Sequence, residues 1–198
     1  MEELYPQRRY IRLPGYDYSQ PGAYFVTICT HDRQCLFGNI ENNLMNLNPY
    51  GEIVQSCWKD IPLHYPEVTN DVFVVMPNHV HGIIFIHDVN TDTSGQAGRS
   101  GSKPDPTGRQ PLSEIVRAFK TYSARKINED RQSQGTPIWQ RSYYEHIIQG
   151  EIEYSQIGEY IIYNPSQWKM DSENPNNRRS GLKPDPTKSV IKGFGAKF

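Results

Sequence analysis

A chain of 198 residues with a 36% hydrophobic fraction has room for one domain with a modest core. Its mean hydropathy is −0.72, and its longest apolar runs, 72–76 and 82–86, are far too short to span a bilayer. A formal net charge of −1 excludes a uniformly basic surface, so any contact with phosphates must come from local clusters.

The elements follow from periodicity and punctuation. Residues 23–31, AYFVTICTH, are rich in β-branched and aromatic side chains and read as a strand. Residues 49–65 place Ile53, Val54, Cys57, Trp58 and Ile61 at helical spacing. Two apolar runs, 71–76 and 79–87, flank the turn pair Pro77–Asn78 and read as an antiparallel hairpin. Residues 90–110, rich in Gly, Ser, Thr, Asp and Pro, read as a flexible insert. Helical spacing resumes over 112–128, residues 143–149 resemble a strand, and 151–163 read as a helix stopped by Pro165. The order β–α–β–β–α–β–α implies an α+β fold: a ferredoxin-like or RRM-like antiparallel sheet with helices mainly on one face. Residues 1–169 then form the domain and 170–198 a basic, disordered tail.

Three features stand apart from the core pattern. The opening MEELYPQRRY has no apolar signal core, and Cys29, Cys35 and Cys57 form no C-x-x-C pair. A reducing cytoplasm is therefore expected, without a disulfide framework or a thiolate zinc site. Positive charge clusters at Arg8, Arg9 and Arg12, over 109–126 and in the tail, where solvated faces are the simpler account on charge alone. RSGSKPDPT at 99–107 recurs as RSGLKPDPT at 179–187. Two prolines and little apolar surface keep either copy from packing, whether it is a duplicated linker or a short mobile DNA that landed twice in frame.

The chemistry concentrates in VVMPNHVHGIIFI, 74–86. On a strand, His79 and His81 face one side while Val80 faces the other, so two imidazoles share a face at a turn. Such a pair can hold a divalent cation, although hydrogen bonding at a turn is its commoner use. The H-E-x-x-H pattern of a zincin is absent, and Ile83 and Gly82 rule out histidine-triad and H-x-S/T phosphoesterase motifs. On the last helix, Tyr160 and Asn164 lie at i and i+4 and so share a face.

MPNHVHGII at 76–84, WQRSYYEHII at 139–148 and EYIIYNP at 159–165 together resemble the REP-associated tyrosine transposases. These are relatives of the single-tyrosine insertion-sequence transposases among the HUH nucleases. RLPGYDYSQPGAYFVTICT at 12–30 is also similar to that family, and the resemblance spans roughly residues 8–169. It implies that His79, His81 and Asn164 bind magnesium or manganese and that Tyr160 is the nucleophile. Insertion-sequence relatives commonly carry Gln where this chain has Asn164, one methylene longer. The implied activity is site-specific cleavage and rejoining of single-stranded DNA at palindromic-repeat hairpins, through a 5′-phosphotyrosine. Arg8, Arg9, Arg12, Arg117, Lys120 and Arg125, interleaved with tyrosines, are the candidate DNA contacts. The resemblance favours a monomer over a homodimer. A non-catalytic hairpin-binding module is the alternative, and a phosphoesterase with a water nucleophile is a third reading.

Overall fold

A computed structural model describes residues 17–88, 109–171 and 173–177. In chain order its elements are β1 (Gly22–Cys29), β2 (Gly38–Glu41), β3 (Leu44–Leu47), α1 (Pro49–Lys59) and α2 (Ile61–His64). There follow β4 (Val68–Met76), β5 (His79–Ile86), α3 (Leu112–Asp130), β6 (Tyr144–Ile148) and α4 (Gly150–Gln167). β4, β5, β1 and β6 form one antiparallel sheet in that order. Its strands, numbered by their order in the chain, run second–third–first–fourth across the sheet, the split βαβ arrangement expected of a ferredoxin-like fold.

The two faces of the sheet are unequal. Tyr24, Val26 and Ile28 of β1, with Val80 and Ile84 of β5, pack against Val54 and Trp58 of α1 and Ile115, Val116 and Phe119 of α3. The alternate residues Phe25 and Ile83 face the other side and meet α4 through Ile157 and Ile161. Period-2 alternation thus sends one set of β1 and β5 side chains into the main core. Helices do lie mainly on one face, and among the described α-helices only α4 covers the other.

Local chemistry explains the boundaries. Pro49 opens α1, and the Asn48 side chain caps it by accepting from the Gly51 amide at 3.0 Å. The helix expected over 49–65 divides at Asp60 because Pro62 has no N–H for the Trp58 carbonyl, which accepts from the Asn70 side chain instead. The hairpin β2–β3, unanticipated from sequence, turns at Asn42 and Asn43 with φ of 51° and 64°. Asparagine tolerates such angles, which a two-residue type I′ loop requires. α4 runs past its expected stop, with Pro165 inside its last turn. There the proline forfeits a single backbone bond, to the Ile161 carbonyl. Residues 170–171 and 173–177, placed in the tail by the sequence reading, pack with the folded body, with Glu173 and Asn174 buried. The 90–108 part of the insert, the remainder of the tail and both copies of the repeat lie outside the described residues. Among those described, no helix is long and apolar enough to cross a membrane.

Gly82, directly after His81, lets the Trp58 ring lie against β5. A Cβ there would sit 2.3 Å from Trp58 Cζ2. The indole, stacked on Phe73 at 5.8 Å and fully buried, has nowhere to retreat. Gly82→Ala is expected to destabilise the fold by about 1–3 kcal/mol, read as a lowered denaturant midpoint at unchanged slope. An unchanged midpoint would contradict this packing.

Candidate functional site

His79 and His81 sit on a central strand, opposite Cys29 and Thr27 of β1. Both are buried, at 0% and 3% exposure, on the face covered by α4. Neighbours orient both rings. The Asn78 amide nitrogen donates to the Arg33 and Glu173 carbonyls at 3.1 and 2.8 Å, which turns its oxygen toward His79. That oxygen lies 2.8 Å from His79 Nδ1 and accepts its proton, leaving a lone pair on Nε2. Thr27 Oγ1 contacts His81 Nδ1 at 2.8 Å, so His81 too presents Nε2 to the centre. The two Nε2 atoms are 3.0 Å apart.

Burial holds both imidazoles neutral. It pushes His81 down to about 3. His79 lies well below the usual histidine range, by burial first and then by the neighbouring His81 and Arg33. Neutral imidazole is the form that ligates a metal.

α4 brings Tyr160 to the pair. Its hydroxyl lies 3.3 Å from His81 Nε2, and its ring meets Phe25 edge-on at 6.1 Å between centroids. Asn164 follows one turn later, 2% exposed, and its Oδ1 is buried without a hydrogen-bond partner among the described residues. An orphan acceptor of this kind costs about 1–3 kcal/mol, which a cation would offset. The other tyrosines of α4 are occupied elsewhere: Tyr154 donates to Asp71, and Tyr163 is 59% exposed.

Sequence reasoning missed one acid. Asp171 Oδ2 lies 3.9 Å from His79 Nε2, and with the two histidines it forms a group whose donor atoms all fall within 4.8 Å. Burial raises its carboxyl to about 6, partly offset by Arg33. It lies in the polar run KMDSEN, where no periodicity marks it. Two imidazole nitrogens, an amide oxygen and a carboxylate suit a hard or borderline divalent ion. Cys29 belongs to no such set: its thiol donates to Glu173 at 3.4 Å, and burial pushes it up to about 11.

The candidate DNA contacts of α3 lie across the sheet from Tyr160. Arg117 pairs with Glu114 at 2.8 Å, Lys120 donates to the Arg141 carbonyl at 3.0 Å, and Arg125 pairs with Glu129 at 3.6 Å. Of the three, Lys120 alone acts on a neighbour of the histidine pair, since its charge bears on Cys29, the residue opposite His79. Arg8, Arg9 and Arg12 lie outside the described residues. His146, on the α4 face, pairs with Glu153 at 2.7 Å.

The family model for IS200-like transposases matches residues 105–164, a stretch that includes Tyr160 and Asn164 and begins after the histidine pair. A Haemophilus influenzae protein described as a REP-associated tyrosine transposase is 28% identical over 150 residues, covering 75% of this chain and 73% of that one. A second, uncharacterised protein from Haemophilus influenzae is 44% identical over 172 residues, 83% of this chain and 91% of that one. Over residues 105–164 the chain thus matches the IS200-like transposases, and over most of its length it is homologous to a REP-associated tyrosine transposase. Among solved structures, a REP-associated tyrosine transposase bound to a REP hairpin aligns with a TM-score of 0.47 at 18% identity, over 88% of this chain and 93% of that one. A transposase from Deinococcus radiodurans aligns at 0.44 and 19% identity, over 78% and 96% of the respective chains.

Proposed function

We propose that this chain is a metal-dependent, site-specific endonuclease and strand transferase for single-stranded DNA, cutting palindromic-repeat hairpins through a 5′-phosphotyrosine on Tyr160. The observation that carries the reading is the 3.3 Å approach of the Tyr160 hydroxyl to His81 Nε2, across 79 residues of chain. The likeness to REP-associated tyrosine transposases supports the class of substrate.

The residues divide the work. His79, His81 and Asn164 would hold magnesium or manganese, which supplies Lewis-acid polarisation of the scissile phosphate and offsets its growing charge. Thr27 and Asn78 fix the imidazoles so that both Nε2 atoms face the centre. Tyr160 presents its phenolic oxygen beside them. As that oxygen bonds to phosphorus, the bond from phosphorus to the 3′-oxygen breaks. The phenol proton leaves to water, because the His81 lone pair is committed to the cation, and the departing 3′-oxygen takes up a proton. The phosphotyrosine keeps the energy of the phosphodiester, so the 3′-hydroxyl of another strand can reverse the step without ATP.

Access dictates the form of DNA. A tyrosine seated on a sheet reaches a phosphate of a flexible strand, whereas a perfect duplex holds its backbone in a regular helix. A labelled oligonucleotide carrying a palindromic hairpin and a single-stranded flank is expected to be cut in manganese, while the same sequence as a full duplex stays intact. Cleavage should stop in excess EDTA, and binding should weaken as salt rises. Equal cutting of duplex and hairpin, or cutting in EDTA, would overturn the reading. Binding without any cutting would assign a hairpin-binding module.

A further inference from the structure

We propose that Asp171, carried in by the segment after α4, is a further ligand of the cation held by His79, His81 and Asn164, and that its carboxylate lets this cation bind before DNA arrives. The inference rests on the metal-dependent reading above and adds to it a ligand from outside the helix of the nucleophile.

The segment is built to deliver that side chain. Asp171 Oδ1 accepts from the Glu173 amide at 2.7 Å, which closes the turn and leaves Oδ2 on the His79 side, 3.9 Å from Nε2. The turn itself is tied down. Glu173 pairs with Arg33, its carbonyl accepts from Asn78, and its carboxylate accepts from Cys29. The same Asn78 that sets the His79 tautomer therefore also anchors the segment bearing Asp171.

Asp171 has no structural hydrogen bond to gain from His79. The proton of that imidazole sits on Nδ1, committed to Asn78, so Nε2 and Oδ2 face each other as electron-pair donors. The donor atoms of His79, His81 and Asp171 lie within 4.8 Å of one another, and Asn164 Oδ1, one turn beyond Tyr160, is a buried orphan acceptor, an arrangement that a cation relieves. Charge decides the order of binding. Two imidazoles and an amide are neutral, and a dication among them would be buried without compensation until a phosphate joined it. One carboxylate halves that charge in advance.

The test is manganese(II) binding to the full chain without DNA, followed by electron paramagnetic resonance. Wild type is expected to bind. Asp171→Asn keeps the shape and the Oδ1 acceptor, so the metal-free melting temperature should hold while affinity falls roughly tenfold or more. Asp130→Asn, the same charge change at the end of α3, should leave affinity unaltered. Affinity within twofold of wild type in Asp171→Asn would overturn the assignment while metal-dependent hairpin cleavage stood. Wild type that takes up manganese only once a hairpin is added would do the same. Cleavage that persists in EDTA would remove both readings together.

Discussion

Tyr160→Phe is expected to abolish both hairpin cleavage and the covalent protein–DNA adduct while leaving hairpin binding and manganese binding in place. Phe retains the ring that meets Phe25 and His81 at 6.1 and 5.2 Å, so the change removes only the hydroxyl 3.3 Å from His81 Nε2. Denaturing electrophoresis with DNA labelled on the 3′ side of the cut reads the adduct, and peptide mapping locates it. The neighbouring tyrosines make the assignment sharp. Tyr163 is exposed and Tyr154 is engaged with Asp71, so neither presents a free phenol to the histidines. An adduct on either would displace Tyr160 as nucleophile. Cleavage without any adduct would point to a water nucleophile.

His79→Ala and His81→Ala are each expected to lower the cleavage rate by roughly three orders of magnitude, the scale on which losing several kcal/mol of electrostatic stabilisation acts. Asn164→Ala should lose most activity, and Asn164→Gln should keep part of it by restoring an amide one methylene longer. Single-turnover rates at saturating manganese, with circular dichroism as a check on folding, separate chemistry from stability. The two histidines differ in their structural load. His79 satisfies Asn78, which also holds the Arg33 and Glu173 carbonyls, whereas His81 meets Thr27. A larger loss of stability in His79→Ala is therefore expected. Either histidine variant cutting at the wild-type rate would refute a role in the chemistry.

The parts of the site legible in the sequence are those joined by short periods. His79 and His81 share a face because strands repeat every two residues, and Tyr160 and Asn164 share one because helices repeat every 3.6. The antiparallel α+β class was likewise readable from the succession of helix and strand patterns with one turn pair at Pro77–Asn78. What could not be read depends on register between distant strands and on a segment with no pattern of its own. Thr27 meets His81 only because β1 and β5 pair with Thr27 opposite His81. Asp171 arrives only because the chain continues through Pro165 and folds back onto Asn78 and Arg33. The hairpin β2–β3 escaped notice because its strands are only four residues long and half exposed.

The unequal faces of the sheet divide the consequences of mutation. Substitutions among Val54, Trp58, Ile115 and Phe119 act where most of the apolar surface is buried, and α4 with its tyrosine lies on the far side. Such changes alter how many chains are folded at any moment, hence abundance in a cell, and leave the turnover of each folded chain alone. Substitutions around Phe25, Ile157 and Ile161 act beneath the proposed nucleophile, Tyr160, and on that proposal register first as a change in turnover. Drift in the first group is bounded by proteolysis and in the second by the reaction, so the two faces of one sheet answer to different selective pressures.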